Sequence, residues 1–470
     1  MSKTTPARAV PGRGDRRRDG TLDPAMADTK DTSRDVYKTL DLGLRIGEVL
    51  LSSGAGAADV SATMLNVAHG CGLRGATADV TFTELAMSHQ SSYDEPAMIQ
   101  IRQVRHREID YEDLTLVDHL VRDLVSGAID RDEARSQLAR IVSSGHRLPR
   151  WSVTLGLGVM GGGVGLLVGG DWVVTLIAFL AAVGVDLLQR QMSRRRLPGF
   201  YQQVAGGLLA TLIAVVTVAG GVDVEPSRVV TAGIILLLAG INFMGAIQDA
   251  LTGFPLTAGA RVLEAILATS GVIAGVSGGL TVGRMLGVNL GRLDPGFASY
   301  SELPVMAIGA AITAGAFAFS AYAPPRSLAP IALIGALAEV VFYVTFDRGL
   351  GVAWATATAS VLIGLVSYSI AARVRVPPLV VVVSSIVPLL PGLSIYRGLY
   401  LLSEGGNGLI SMINAAAIAI ALAAGVIFGE YVAQPLKREA RRLESRLSGP
   451  RLVGPLRARA VRRRPQTEPR

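Results

Sequence analysis

The stretch Ile331–Phe346, IALIGALAEVVFYVTF, decides the fold, because every residue in it except Glu339 is one that lipid accepts. Glu339 is an ionisable acid near the middle of this apolar run. A charged group at the centre of a bilayer is costly, so an acid there usually faces a partner or a water-filled path. If the run spans a membrane, we therefore expect Glu339 to have a function or a buried partner.

Composition indicates that the run does span a membrane. Of the 470 residues, 50% are hydrophobic and 17% are charged, whereas soluble domains carry about a quarter charged residues. The charged residues are concentrated in residues 1–150 and in a basic tail, and the stretch between them is largely apolar. The sequence therefore predicts an α-helical polytopic membrane protein, preceded by a small cytoplasmic α+β domain.

The predicted organisation has four parts. Residues 1–33 are rich in Pro, Gly, Arg and Asp, so we expect them to be disordered, and they lack the apolar core of a signal peptide. Residues 34–150 form the cytoplasmic α+β domain, and residues 151–434 form the transmembrane domain. Residues 435–470 form a basic cytoplasmic tail.

Periodicity predicts the elements of the α+β domain. Helical spacing in SRDVYKTLDLGLRIGEVLLSSG predicts a helix that Ser33 caps and Gly54 ends, and AADVSATMLNVAHGCG predicts a second helix. ADVTFTELAMSH and AMIQIRQVRHREI alternate and predict two strands, with a turn at SSYDEP between them. YEDLTLVDHLVRDLVSG and DRDEARSQLARIVSSG return to helical spacing.

The residues of this domain predict no cofactor, no metal and no enzymatic activity. The single cysteine, Cys71, rules out an internal disulfide and is expected to be a core residue. None of the histidines has a histidine or cysteine partner at a usual zinc spacing, and all five lie in this domain: His69, His89, His106, His119 and His146. In LLSSGAG, Ser52, Ser53 and Gly54 are expected to form a helix end, because no nucleophile-elbow sequence surrounds them.

Beyond Trp151, apolar runs of the length that a spanning helix needs, about 20 residues, can be counted. Ten runs result, at 152–169, 172–188, 203–222, 229–247, 262–283, 304–322, 328–346, 352–371, 378–395 and 409–431. An even number of spans places both termini on one side of the membrane. The loops on that side carry most of the positive charge, as in QRQMSRRR and ARVRVPP, whereas each opposite loop has at most one Lys or Arg. We therefore expect both termini to be cytoplasmic and the protein to lie in the cell membrane.

The basic tail concentrates the positive charge of the chain. Residues 437–470 contain twelve Lys or Arg and three Glu, a net charge of +9 against +8 for the whole chain. The rest of the chain is close to neutral, so the overall charge does not predict nucleic-acid binding. The tail predicts contact with anionic membrane lipids, and a solvated tail without a specific partner is an equal alternative. No pattern in the sequence predicts an oligomeric state.

Two segments of the transmembrane domain hint at a duplication. GLLVGGDWVVTLIAFLAAVGVDLLQR and VTFDRGLGVAWATATASVLIGLVSYSIAAR share a Gly-rich turn, a tryptophan (Trp172 and Trp354) and a terminal arginine. Pro198 and Pro377 then open the next span in each copy. Both copies would have the same orientation, so the pattern predicts a parallel internal repeat, and transporters often hold substrate between such repeats.

Three segments together resemble the threonine/serine exporter family. They are LGLRIGEVLLSSGAGAADVSATMLNVAHGCGL, QDALTGFPLTAGARVLEAILATSGVIAGV and PPLVVVVSSIVPLLPGLSIYRGLY, and the similarity extends from about residue 36 to about residue 434. The resemblance implies a secondary transporter that exports the small hydroxy amino acids threonine and serine, driven by the proton motive force. Some relatives that are split into two chains resemble dicarboxylate exporters, so a dicarboxylate substrate stays an alternative. The resemblance assigns no binding residues.

Polar residues in the spans therefore supply the site candidates. Glu339 is the best placed to carry a proton, because no histidine lies in any span. Arg261 and Glu264 are three residues apart and are expected to pair locally or to contact substrate. Asn242 and Asn414 lie deep in their spans, where interhelical hydrogen bonds explain them as well as a substrate does. Asp186, Asp249 and Glu430 lie near inner span ends, where water is expected to solvate them.

The segment SSIVPLLPG supplies the second group of candidates. Pro388 and Pro391 each remove a backbone donor and Gly392 loosens the chain, so the ninth helix is expected to break there. Freed carbonyl groups and helix ends at membrane depth are what transporters use to hold zwitterions, and Ser384 and Ser385 add hydroxyl groups. A kinked packing helix is the alternative for this segment. A membrane-anchored hydrolase that uses the N-terminal domain, and a channel or scaffold, are the alternatives for the whole chain.

Overall fold

A computed structural model provides the structure of the chain. It describes residues 24–447, apart from 92–93, 105–106, 223, 225, 236, 238–239, 289–301, 391–393, 395–396, 398–400 and 402–406. Most of the predicted disordered segment, most of the basic tail, His106, Pro391 and Gly392 therefore lie outside the described residues.

The N-terminal domain consists of four helices and a three-stranded sheet. The elements are α1 (Pro24–Ser52), α2 (Ala57–Gly70), β1 (Thr77–Thr81), β2 (Glu84–His89), β3 (Met98–Gln103), α3 (Tyr111–Ser126) and α4 (Arg131–Ser144). Local signals set the bounds of α3, because the Asp110 carboxylate accepts the N–H groups of Glu112 and Asp113, and Gly127 ends the helix at a φ of 76°. The first helix begins at Pro24, within the segment that was expected to be disordered, and not at Ser33.

The sheet is antiparallel, in the order β1–β2–β3. ADVTFTELAMSH forms a hairpin and not the single strand predicted, because Thr81 pairs with Glu84 and leaves only Phe82 and Thr83 in the turn. The face of the sheet that carries Leu85 and Met87 is buried against α1 and α2. Gly43 allows this packing, since a Cβ atom there would lie 2.7 Å from the sulfur of Met87.

Eleven further helices follow in the described part of the chain. They are α5 (Arg150–Leu167), α6 (Trp172–Arg194), α7 (Gly199–Ala219), α8 (Pro226–Ile235), α9 (Gly240–Leu251), α10 (Pro255–Met285), α11 (Leu303–Ser320), α12 (Pro325–Thr345), α13 (Gly351–Val374), α14 (Pro378–Ile386) and α15 (Leu409–Leu447). Each of the ten predicted spans lies on one or two of them. Six helical stretches among the described residues are long and apolar enough to cross a membrane, and one of these, Pro325–Val374, contains both α12 and α13. The count of ten spans stays a prediction.

Two of the predicted spans are discontinuous. The break expected at Pro388 is present, since α14 ends at Ile386 and a 3-10 turn follows at Val387–Leu389. The span predicted at 229–247 is also broken, because α8 ends at Ile235 and α9 begins at Gly240. No proline marks this second break, and its hydropathy is continuous, so the sequence prediction missed it.

The packing of the transmembrane helices follows one pattern twice along the chain. In the first set α5 packs on α6, α6 on α7, and α7 on α10, and the broken helix begins with α8. In the second set α11 packs on α12, α12 on α13, and α13 on α15, and the broken helix begins with α14. This packing relates α6 to α12, whereas the two tryptophans predict that α6 corresponds to α13, and the parallel repeat stays a prediction. If the ten-span prediction holds, each of the two sets is a unit of five spans, and the two units have opposite orientations, as in inverted-repeat transporters.

Within each unit, a glycine lets two helices approach closely, at equivalent positions of the packing pattern. Gly207 faces the α10 backbone, and a Cβ atom there would lie 2.7 Å from the carbonyl oxygen of Val272. At the equivalent contact of the second unit, a Cβ atom on Gly364 would meet the α15 backbone at Val426. Small residues at helix interfaces allow such backbone approach in membranes, where packing and not the hydrophobic effect holds helices together.

We expect Gly207→Ala to destabilise the protein by about 1–3 kcal/mol, because the added methyl group must displace the α10 backbone. The matched control is Gly199→Ala on the same helix, where a Cβ atom meets nothing within 4 Å. Thermal unfolding of the purified protein in detergent measures both variants. Equal midpoints for the two variants would contradict the close packing of α7 on α10.

The N-terminal domain packs directly on the transmembrane helices. A single hydrophobic core contains Leu40 and Leu85 of the domain together with Ile331, Val381 and Leu422 of the helices. The hydrogen bonds that cross the boundary include Ala57 N to Asp249 Oδ1 at 2.9 Å and Tyr111 N to Ala321 O at 2.8 Å. The hydroxyl group of Thr257 accepts the N–H of Phe82 at 3.2 Å and donates to the carbonyl oxygen of Val80 at 3.3 Å. The domain is therefore fixed against the end of the helical bundle that carries the α9–α10 and α11–α12 turns.

Candidate functional site

The two breaks meet at one cavity, the central cavity, which has a volume of about 200 Å³. The ends of the broken helices line it with Leu237, Gly240 and Ile241 from one unit and Val387, Pro388 and Leu390 from the other. On the same measure a water molecule needs only about 10–15 Å³. The central cavity therefore has room for a molecule of several non-hydrogen atoms.

Polar groups from α6 and α11 face the central cavity. Asp186, Gln189 and Thr313 line it. The Oδ2 atom of Asp186 accepts hydrogen bonds from Thr154 at 2.8 Å and from Arg190 at 2.6 Å, so this carboxylate is held in place. The hydroxyl group of Thr313 donates to the carbonyl oxygen of Gly309 at 2.7 Å, which leaves its oxygen able to accept a hydrogen bond.

The electrostatics of the cavity follow from the helix ends. The amino end of α9 begins at Gly240, where the first amide groups have no acceptor within the helix and carry a partial positive charge. Pro388 lies in the turn after α14, where carbonyl groups at the carboxyl end carry a partial negative charge. The amino end of α9 therefore suits a carboxylate, and the turn at Pro388 suits an ammonium group.

A second cavity, the interface cavity, lies between the N-terminal domain and the helices and has a volume of about 160 Å³. It brings together three of the predicted site residues, Asn242, Arg261 and Glu264, with Gln248 beside them. From the N-terminal domain it is lined by Ser52, Ser53, Gly54, Gly56 and Arg107. The helix end at Ser52–Gly54 is therefore part of a polar cavity, which the sequence prediction missed.

The two cavities follow each other along the same helices. Ile241 lines both of them. On the ninth predicted span, Leu379 and Val383 line the interface cavity, whereas Val387 and Pro388 line the central cavity. Ile241 and the end of α14 therefore separate a polar chamber at the N-terminal domain from a chamber within the bundle.

The buried ion pair of the interface is Arg261 with Asp249. Their Nη1 and Oδ2 atoms are 2.8 Å apart, and the Asp249 carboxylate also accepts the N–H of Ala57 at the start of α2. The local pair expected between Arg261 and Glu264 is wrong, because Arg261 points back to α9 and Glu264 is exposed. Asp249 was expected to be solvated but is fully buried. The signal for this pair was the short turn between α9 and α10, which folds Asp249 and Arg261 onto adjacent helix faces.

Two further ionisable residues, Asp59 and Arg107, lie near this ion pair. Burial and the nearby Asp249 carboxylate raise the pKa of Asp59, at the start of α2, above its ordinary value. On the other side, burial lowers the pKa of Arg107, and the neighbouring Arg261 lowers it further. The guanidinium of Arg107 lies 4.2 Å above the ring of Phe82, which holds it against the domain. Arg107, Arg261 and Glu264 therefore line the interface cavity, and Asp249 neutralises Arg261.

The remaining predicted residues lie apart from the cavities. Glu339 is 4% exposed and forms no ion pair or hydrogen bond with a described residue, but it does not line either cavity. Ser384 and Ser385 are fully buried on α14, and Ser385 has no hydrogen-bond partner within the described residues. Asn414 is exposed on α15 and is not brought to the site. No group of three or more His, Cys, Asp or Glu side chains in the described part of the chain is arranged to hold a metal ion.

Comparison with known proteins agrees with this arrangement. A family model described as "Putative threonine/serine exporter" matches residues 41–283, and one described as "Threonine/Serine exporter, ThrE" matches residues 306–432. The two matches divide the chain in the connection between α10 and α11, which is where the two sets of packed helices meet. No solved structure matches the chain.

Two curated relatives cover most of the chain. A probable threonine/serine exporter of Mycobacterium tuberculosis is 35% identical over 430 residues, which are 88% of this chain and 80% of the relative. The threonine/serine exporter of Corynebacterium glutamicum is 34% identical over 425 residues, which are 89% of this chain and 86% of the relative. Both are described as exporters and not as enzymes, as the sequence predicts for this chain. The chain is a multi-pass membrane protein that belongs to the threonine/serine exporter family.

Proposed function

We propose that the chain exports threonine or serine across the cell membrane and that the central cavity holds the amino acid in transit. The observation that carries this proposal is the position of the cavity between two broken helices from the two five-span units. Transporters with inverted repeats bind substrate at such breaks. The printed names of the relatives supply the substrate class.

The charges of a zwitterion fit the two walls of the central cavity. The substrate carboxylate binds at the amino end of α9, near Gly240 and Ile241, where the helix dipole favours negative charge. The substrate ammonium binds the carbonyl groups in the turn at Pro388, with the carboxylate of Asp186 on the neighbouring helix. The side-chain hydroxyl of threonine or serine donates to Thr313, and this contact favours a hydroxy amino acid over an apolar one.

The interface cavity is the approach from the side of the N-terminal domain. Asn242, Arg261 and Glu264 offer hydrogen bonds of both signs to a zwitterion there. The amino acid then passes Ile241 and α14, whose buried hydroxyl groups, on Ser384 and Ser385, replace part of its hydration shell. Pro388, Pro391 and Gly392 let this part of the ninth span change shape as the path opens.

Glu339 is the proposed proton-binding residue that couples export to the proton motive force. Its carboxyl group is buried on α12, which packs directly against α14 and the turn at Pro388. A proton that enters or leaves this group changes the charge next to the broken helix without occupying the substrate cavity. Substrate binding and protonation are then linked through the position of α14.

A transport experiment tests the proposed function. The purified chain in liposomes is expected to accumulate labelled L-threonine and L-serine when a pH gradient is imposed, and unlabelled succinate is expected not to compete. Accumulation of succinate in place of threonine would support the dicarboxylate alternative. Absence of any gradient-dependent flux by protein that is inserted and folded would overturn the proposal.

Both termini are proposed to be cytoplasmic, with the basic tail against anionic lipids of the inner leaflet. A reporter that is active only in the cytoplasm is expected to work when fused after Arg150, after Arg196 or at the C-terminus. The same reporter is expected to fail after Asp223, in a loop predicted to lie outside. Activity at Asp223 would contradict the ten-span topology.

A further inference from the structure

A third cavity, the domain cavity, lies wholly within the N-terminal domain. Its volume is about 890 Å³, and its walls come from α1, β3, α4 and the start of α3. Seven charged residues line it: Arg45, Glu48, Arg102, Glu108, Asp110, Asp113 and Arg135. A cavity of this size with so many charges has no role in the packing of the domain.

The arginines of the domain cavity come from three elements. Together they form the arginine wall, to which α1, β3 and α4 each contribute one residue, and each arginine forms an ion pair with a carboxylate of α1. Arg45 and Arg135 contact Asp41 at 3.0 and 3.2 Å, and Arg102 contacts Glu48 at 3.1 Å. Each guanidinium has five N–H donors, so donors are left over for a carboxylate in the cavity.

Asp110 and Asp113, at the start of α3, give the domain cavity an acidic wall. Asp110 is committed to the N-terminal cap of α3, and its second carboxylate oxygen lies 3.3 Å from His146. Asp113 lines the cavity one turn later, and its carboxylate forms no hydrogen bond or ion pair with a described residue. This carboxylate is free to accept an ammonium group.

Ser53 joins the domain cavity to the interface cavity. It is 2% exposed, lines both cavities, and its hydroxyl group makes no hydrogen bond within the described residues. Ser52 lines both cavities as well. A buried hydroxyl without a partner at the junction of two polar cavities is suited to a ligand that passes or binds there.

We propose that the domain cavity is a loading site for zwitterionic α-amino acids, which the arginine wall holds by the carboxylate and Asp113 holds by the ammonium group. The acidic wall repels a simple anion, and the arginine wall repels a simple cation. Only a molecule that carries both charges forms favourable contacts with both walls. The amino acid then moves past Ser53 into the interface cavity. This inference rests on the proposed function, because it makes the N-terminal domain part of the same export path.

Two substitutions test the loading site, each with a matched control. Asp113→Asn and Arg135→Gln remove one charge from each wall. Asp123→Asn and Arg140→Gln are the controls, because these residues are exposed on the same helices, α3 and α4, and line none of the three cavities. The full-length protein in detergent is treated with L-threonine, and hydrogen exchange of the N-terminal domain is measured.

Asp113→Asn is not expected to unfold the domain. Burial and the neighbouring Asp110 raise the pKa of Asp113 to about 6, with Glu112 acting in the same direction and His146 in the opposite one. Since this value lies above the ordinary value of 3.8, the stability that Asp113 contributes is present below pH 3.8 and is lost as pH rises through about 6. At neutral pH the asparagine removes a charge that burial disfavours, so the substitution is not expected to destabilise the domain. Loss of threonine binding by Asp113→Asn would therefore reflect the lost contact with the ligand.

L-threonine is expected to slow exchange in the segments 41–53 and 98–113 of the wild type and of both controls. The protection is expected to disappear in Asp113→Asn and Arg135→Gln, and the KM for export from the side of the N-terminal domain is expected to rise on the order of tenfold, as loss of a hydrogen bond to a charged group often causes. Threoninol, which lacks the carboxylate, and the hydroxy acid that lacks the ammonium group are expected to give no protection.

Normal export without threonine-dependent protection of these segments would overturn the loading site and leave the proposed function intact. Protection that persists unchanged in both Asp113→Asn and Arg135→Gln would also overturn it. Protection of these segments in a protein that exports no threonine would overturn the proposed function and retain the binding site.

Discussion

Replacement of Arg261 by Met is expected to destabilise the folded protein by about 3–5 kcal/mol, because it leaves the Asp249 carboxylate buried without its partner. The two charged groups are 2.8 Å apart, and Asp249 has no exposed surface. Asp249 also accepts the N–H of Ala57, so an unpaired charge here is expected to disturb the docking of α2 as well. The measurement is thermal unfolding of the purified protein, together with the yield of monodisperse protein.

The control for this prediction is Arg284→Met, at the other end of the same helix, where the arginine is exposed and, among the described residues, its side chain hydrogen-bonds only to Thr281. The double variant Asp249→Asn with Arg261→Met is expected to recover much of the loss, because it removes both charges and keeps the shape of the acidic side chain. If Arg261→Met unfolds at the same temperature as Arg284→Met, the ion pair does not hold the interface together.

Glu339→Gln is expected to abolish export against a gradient while leaving the protein folded and inserted. The substitution keeps the shape of a side chain that is 4% exposed and removes its ability to carry a proton. Exchange of labelled for unlabelled threonine needs no net proton movement, so we expect exchange to persist. Transport per inserted molecule, with and without an imposed pH gradient, measures the two activities separately.

The paired measurement also distinguishes a structural glutamate from a coupling one. A structural Glu339 would tolerate the neutral amide or would lower the amount of inserted protein, with both activities reduced together. Glu95→Gln, at an exposed position of the N-terminal domain, is the control for expression and reconstitution. Unchanged gradient-driven export by Glu339→Gln would remove this residue from the mechanism.

The N-terminal domain illustrates what local signals carry. Asp110 and Gly127 set the ends of α3, and Asp130 caps α4, because caps and left-handed glycines act within a few residues of the helix end. The hairpin at Phe82–Thr83 was missed because both turn residues are of types that are common in strands, and no Gly, Pro, Asn or Asp marks the turn.

The membrane segments show which features hydropathy does not predict. Lipid-facing and core-facing residues are both apolar, so the apolar runs identify the helices but not which face of each helix is buried. Asn414 was expected to be deep and is exposed, whereas Asp249 was expected to be solvated and is buried. For the same reason the break between α8 and α9, which contains no proline, left no trace in the apolar pattern.

By itself, the sequence determined the membrane class, the helices, the break at Pro388 and the family, since each depends on composition or on residues close together in the chain. Only the tertiary structure decided the pairing of Asp249 with Arg261, the repeated packing of the helices and the meeting of two broken helices at one cavity. These features depend on which helices become neighbours. That choice is made by close backbone packing at glycines such as Gly207 and Gly364, between residues far apart in the chain.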